Sequence, residues 1–145
     1  MGFRVPSIVN TVFYYGSRLY GLCGDVIKMR PRIYVAGPLS NGDEAMNIRA
    51  AIDVAEKIIE LGGIPFVPHL TWFWHFHSPR LFTYDWWVEV YDFAWLDTCH
   101  AMYRIAGESH GSDLEEAHCK ECGIPVFTDL TELAKFIERI KDIIE

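Results

Sequence analysis

Two acids have neighbours that suit them to chemistry. Asp92 stands in Tyr91-Asp92-Phe93-Ala94-Trp95-Leu96, among residues whose types expect burial. A carboxyl desolvated by aromatic rings has a raised pKa and can donate a proton. Glu115 stands in Gly107-Glu108-Ser109-His110-Gly111-Ser112-Asp113-Leu114-Glu115-Glu116, where a Gly/Ser loop leads into a helix. A carboxylate in the first turn of that helix, near the loop, can attack an anomeric carbon and hold the glycosyl group as an ester. Ser109, Ser112 and the backbone amide of Gly111 can cradle a phosphate, because a helix start presents free N–H groups and a positive dipole end. Each motif also has a plainer use. Ser112 serves as an N-cap with Asp113, Glu115 and Glu116 favouring the dipole, and Asp92 as a surface acid of an amphipathic helix.

A second loop, Tyr34-Val35-Ala36-Gly37-Pro38-Leu39-Ser40-Asn41-Gly42, has a glycine that lets a ligand approach the backbone. No Gly-Lys-Ser/Thr follows, so it is not a Walker A loop. The segment from Thr71 to Trp87 crowds Trp72, Phe73, Trp74, Phe76, Phe82, Tyr84, Trp86 and Trp87 together. Flat rings of this kind stack on a base or fill a core or subunit interface, and two or three are expected at the pocket. Arg80 in the same segment can pair with a phosphate or lie solvated at the surface.

The elements that position these residues follow from periodicity and punctuation. Ile33 to Ala36 is a buried strand ending at Gly37-Pro38. Asn41 with Glu44 suggests a capping box for a helix whose apolar stripe is Ile48, Ile52, Ala55 and Ile59, stopped by Gly62-Gly63. Ile64 to Val67 forms the second strand and completes a right-handed βαβ unit. A helix running to Leu96 precedes a third strand from Ala101 to Ile105. Next come a helix over Asp113–Glu121 stopped by Gly123, a strand over Ile124–Phe127, and a closing helix over Leu130–Ile144. This alternation predicts an α/β fold: a doubly wound, Rossmann-like or flavodoxin-like, mostly parallel sheet of four to five strands with helices on both faces. Ligands then bind at the carboxyl ends of the strands. Residues 1–28 lack a sustained period and read as an N-terminal arm or extension, with residues 29–145 as the α/β domain.

Composition narrows the partners. The 145 residues fit one hydrophobic core, and half of them are hydrophobic. A formal charge of −7 opposes binding to a nucleic-acid polymer, while a small anion remains compatible where local donors converge. The N-terminal apolar stretch carries Asn10, Ser17 and Arg18, so neither a signal peptide nor a membrane span is expected, and a cytoplasmic location with reduced thiols follows. A metal is not expected either. His69, His75 and His77 lack a carboxylate at a familiar spacing, and Cys119-Lys120-Glu121-Cys122 lies at a helix end without a second CxxC.

Taken together, Tyr34-Val35-Ala36-Gly37, Pro68-His69, Asp92-Phe93-Ala94-Trp95-Leu96 and Ser109-His110-Gly111-Ser112-Asp113-Leu114-Glu115 resemble, in order, the nucleoside 2-deoxyribosyltransferase superfamily over about residues 32–127. The nearest branch in motif is the 2′-deoxynucleoside 5′-monophosphate N-glycosidases. The resemblance implies Glu115 as nucleophile and Asp92 as general acid. It places substrate contacts at Tyr34, Gly37, Pro38, Ser40, His69, Ser109, Gly111 and Ser112. It also implies no cofactor, a small-molecule nucleoside or nucleotide substrate, and a homodimer or larger homo-oligomer. Serine at position 109, where the transferase branch tends to carry an acid, favours a 5′-monophosphate; base exchange by a transferase and non-catalytic nucleotide binding are the alternatives. His100 departs from the family pattern, which often has Asp just before the third strand.

Overall fold

A computed structural model describes residues 19–20, 26–27 and 30–144. Two short strands, β1 (Leu19–Tyr20) and β2 (Val26–Ile27), pair antiparallel. The rest of the expected N-terminal arm, with Cys23, lies outside the described residues. The main sheet has four strands, all parallel: β3 (Arg32–Ala36), β4 (Ile64–Phe66), β5 (Ala101–Arg104) and β6 (Val126–Phe127). Their order is β4-β3-β5-β6. Pro65, which has no N–H to give a ladder, sits on the edge strand β4.

Alternation along β3 divides the core into two layers. Ile33 and Val35 face Ala51 and Ile58 of α1 (Glu44–Glu60) and Leu133 and Ile137 of α5 (Leu130–Ile144). Tyr34 and Ala36 face the other way, onto Met102, Leu96 of α3 (Phe93–Leu96) and Cys119 of α4 (His110–Cys122). Both faces are therefore covered, as a parallel sheet requires, and the doubly wound α/β expectation holds. Each fully buried aliphatic side chain contributes about 1.5–3 kcal/mol through lost apolar exposure. Among the described residues no helix is long and apolar enough to cross a membrane.

Several local expectations need correction. The first helix is capped by Asp43, whose Oδ1 accepts from the Met46 amide at 3.0 Å, and not by Asn41. Asn41 is engaged elsewhere: its Nδ2 donates to the Glu108 carbonyl at 3.2 Å, linking two loops. The buried stripe of α1 is Ala51, Ala55 and Ile58, while Ile59 is half exposed. Small alanines allow this helix to approach the sheet closely, with Ile58 as the large side chain of the stripe and Ile48 and Ile52 half-buried beside it.

The aromatic segment folds as a 3-10 turn (Pro68–Thr71), a short helix α2 (Trp72–His77) and, after a break, a helical run over residues 84–96. Thr83 Oγ1 caps that run by accepting from the Trp86 amide at 3.1 Å. Within it, Trp86–Asp92 is π-helical and Phe93–Leu96 returns to α. A π turn holds an extra residue and is found mostly at functional positions. Here it ends on Asp92.

Candidate active site

The chain leaves β3, pairs β4 on one side of it, then returns to pair β5 on the other. This reversal opens a crevice beyond the carboxyl ends of β3 and β5, the place where open α/β sheets bind ligands. A cleft of about 820 Å³ lies there. Eight of the ten residues expected at a site line it: Gly37, Ser40, His69, Asp92, Ser109, Gly111, Ser112 and Glu115. The other two support it from behind. Tyr34 reaches Glu115 through its hydroxyl, and the Pro38 carbonyl meets His69.

The start of α4 was misplaced by three residues. Ser109, not Ser112, is the N-cap; its Oγ accepts from the Ser112 amide at 3.3 Å. Ser112 is instead buried and donates its hydroxyl to the Gly37 carbonyl at 3.1 Å, tying α4 to the end of β3. Glu115 consequently occupies the second turn of α4 and not the first. The free amides of His110 and Gly111 in the first turn lack intrahelical acceptors. Gly123, in the left-handed region at φ 72°, closes the helix as expected.

Asp92 and Glu115 are both buried, 9% and 5% exposed. Burial pushes Asp92 up to about 7, and burial together with the charge of Asp92 pushes Glu115 up to about 8. Tyr34 opposes that rise at both carboxyls, and its direct bond goes to Glu115. Tyr34 donates to Glu115 Oε1 at 2.6 Å, and burial holds the phenol well above its usual range, so it keeps the proton it donates. Asp92 Oδ1 is buried without a partner. The phenol's direct bond favours the anion at Glu115 while burial raises both carboxyls, so the two titrate as one coupled pair.

His69 is buried, and that burial lowers its pKa. Its Nε2 donates to the Pro38 carbonyl at 3.0 Å, so Nδ1 carries the lone pair and has no partner. Trp87 Nε1 is likewise buried and unpartnered. His69 Nδ1, Trp87 Nε1 and Asp92 Oδ1 are the buried side-chain polar atoms without partners among the described residues, and all three belong to cleft-lining residues. Native interiors rarely leave such groups unpaired. Their concentration marks the cleft as a place built for a polar ligand.

Three rings of the aromatic segment, Trp72, Tyr84 and Trp87, line the cleft. Arg80 is exposed and does not. Among the described residues no lysine or arginine lines it; the basic groups there are His69, His75 and His110. Of the histidines weighed as metal ligands, His75 stacks on Trp72 and His77 packs against Phe73, apart from His69. His100 is structural: its Nδ1 accepts from the Arg32 amide at 3.0 Å and joins β3 to the entry of β5.

Arg104 escaped the sequence reading. It ends β5 with a buried side chain that donates to the Ile105 carbonyl at 2.7 Å, the Gly107 carbonyl at 3.1 Å and Asp113 Oδ1 at 3.0 Å. It thereby fixes the loop that leads into α4. Gly107 in that loop has φ 130°, and a Cβ there would meet Pro38 Cγ at 2.7 Å, so both backbone conformation and space require glycine. An Arg at a strand end before a Gly-rich loop was the available signal.

The arrangement can hold a small polar ligand between aromatic rings, a helix start with free amides and two buried, electrostatically coupled carboxyls. Comparison with known proteins finds no matching protein-family model and no matching curated sequence.

Proposed function

We propose that the chain cleaves the N-glycosidic bond of a (deoxy)nucleoside 5′-monophosphate and releases the free base. The observation that carries this reading is the buried Asp92–Glu115 pair on the cleft wall, with the Tyr34 hydroxyl 2.6 Å from Glu115 Oε1. Glu115 attacks C1′ as the carboxylate while Asp92 gives its proton to the departing base. The C1′–N bond breaks, and its electron pair leaves with the base. Water then attacks C1′ of the glycosyl ester, giving its proton to Asp92 and restoring the Glu115 carboxylate. Two carboxyl groups dividing these roles is the logic of retaining glycoside cleavage. Trp72, Tyr84 and Trp87 supply flat surfaces for a base, and Ser109 with the first amides of α4 supplies donors for a phosphate. The chemistry requires no cofactor.

Histidines as the basic groups of the cleft among the described residues favour a second reading, a nucleoside 2-deoxyribosyltransferase exchanging bases. The assembly is proposed to be a homodimer or larger homo-oligomer. Leu70, Phe73, Phe76 and Leu81 expose large apolar side chains along the aromatic segment, as an interface would use.

The deciding experiment is chromatography of free base after incubation with nucleosides and 5′-monophosphates, with and without a second base, beside Glu115→Ala. Base release from monophosphates that disappears in the variant supports the glycosidase. Exchange only with an acceptor base makes it a transferase. Binding without release, unchanged in Glu115→Gln, overturns both in favour of a non-catalytic binding domain.

A further inference from the structure

Away from the cleft, three donor atoms of different chemistry meet where α3 ends against α4. Asp97, the C-cap of α3, places Oδ1 2.6 Å from His118 Nε2, and Cys122 Sγ lies 3.6 Å from the same nitrogen. One ligand atom from each residue lies within 4.8 Å of the others. The CxxC pattern is thus divided. Cys119 is buried in the core beside Tyr34, while Cys122 is exposed and pairs at i,i+4 with His118. We propose that Asp97, His118 and Cys122 bind one zinc-class divalent cation, with water in the fourth position, and so tie the C-terminal end of α3 to that of α4.

Geometry supports this. Zinc–sulfur and zinc–nitrogen bonds of about 2.3 and 2.05 Å at a tetrahedral angle put sulfur and nitrogen about 3.5 Å apart, close to the distance found here. The Asp97–His118 contact must open by roughly 0.7 Å, since tetrahedral oxygen and nitrogen ligands stand about 3.3 Å apart. Asp97 is exposed and free to make that movement. His118 is already oriented: its ring stacks on Phe93 with centroids 4.1 Å apart and planes 16° from parallel. Charge supports it too. An aspartate at a helix C-terminus opposes the macrodipole, and Cys122 closes α4 at a second negative helix end, so the local field favours a cation. Thiolate and imidazole select zinc-like ions over magnesium or calcium. On binding, the metal displaces the imidazole proton from Nε2 to Nδ1, and the Cys122 thiol releases its proton to solvent.

The site does not rest on the proposed reaction, although α3 follows Asp92 and α4 carries Glu115, so a bound ion would fix the two elements that hold the pair. The test is titration of the chelator-treated full chain with cobalt(II) under reducing conditions. One equivalent is expected to give a thiolate-to-cobalt charge-transfer band with the intense visible bands of a tetrahedral site, both removed by added zinc. Cys122→Ser should abolish the charge-transfer band; Cys23→Ser and Cys99→Ser should retain it. Asp97→Asn preserves a hydrogen bond to His118 but weakens the ligand, and is expected to lower cobalt affinity at least about tenfold. Circular dichroism of each variant establishes that it is folded. Absence of the band in the parent chain, its persistence in Cys122→Ser, or unchanged affinity in Asp97→Asn overturns the proposal.

Discussion

The hydroxyl of Tyr34 lies 2.6 Å from Oε1 of Glu115, joining the middle of the first sheet strand to a helix 81 residues later. Tyr34 is fully buried, so the donor is fixed by the core and not by solvent. Removing it should leave Glu115 harder to ionise. Tyr34→Phe is expected to lower kcat/KM for base release about 10–100-fold, the worth of a hydrogen bond to a charged group. On the proposed reaction, the parent chain should be most active between about pH 7 and about pH 8, where the pair holds one proton. In Tyr34→Phe the limb set by Glu115 should move to higher pH. A pH–rate profile of both proteins checks this, and identical profiles would remove Tyr34 from the ionisation of the pair.

Glu115 should cost stability in a defined pH window. Its pKa rises from an ordinary 4.5 to about 8 in the folded chain, chiefly through burial. Between those values the folded state holds a proton that the unfolded state releases, so stability falls as pH rises through the window and levels off above it. Glu115→Gln keeps an acceptor for Tyr34 and removes the titration. It is expected to stabilise the protein at pH 8.5 by roughly 2–4 kcal/mol, on the order of 10 °C in Tm. At pH 4 the two melting temperatures should coincide. Melting curves at both pH values would sink the assignment if the variant were no more stable at the higher one.

Ser109 offers a way to separate the substrate readings. Aspartate is as good an N-cap as serine, so Ser109→Asp should preserve α4. Its charge would repel a 5′-phosphate at the helix start. The expected result is a fall of at least about tenfold in kcat/KM for monophosphates, from about 1.4 kcal/mol or more of lost interaction, with nucleosides unaffected. Equal effects on both substrate classes would place the phosphate elsewhere.

Two glycines should respond differently to a single methyl. At Gly111 an added Cβ would meet Tyr84 Oη at 2.9 Å, the far end of a half-exposed side chain on the cleft wall. Gly111→Ala should displace that ring, changing KM several-fold with little effect on Tm. At Gly37 the added Cβ would meet Ile105 Cβ at 2.9 Å, close to the backbone of a neighbouring segment. Gly37→Ala should cost about 1–3 kcal/mol, as overpacking does. Denaturant titration of both variants, set beside their KM values, makes the comparison.

The sheet and its helices were legible because their signals are local: an apolar run such as Ile33 to Ala36, or the stop at Gly123, needs no distant partner. The carboxyl pair was legible for a related reason, since acids among aromatics and beside a Gly/Ser loop announce themselves by context. Helix caps were misread where a long-range bond had claimed the side chain. Ser112 is held by the Gly37 carbonyl and Asn41 by the Glu108 carbonyl, contacts that link elements 75 and 67 residues apart. Arg104 was missed because its partners are mostly backbone carbonyls, which carry no sequence signature. The pairing of His118 with Asp97 was hidden for want of any spacing that joins two helices.

The π turn over Trp86–Asp92 sets a limit on how this chain can vary. One surplus residue in that turn phases Asp92 against everything upstream of it. Each α-helical residue advances about 100° around the axis, so deleting an exposed residue such as Glu89 while the π turn persisted would swing the aromatic wall by about that angle relative to the acid. Either the rings or the carboxyl would then leave the cleft. Substitutions on the outer face of this segment can accumulate freely, whereas its length is a quantity that the chain has to conserve to the single residue.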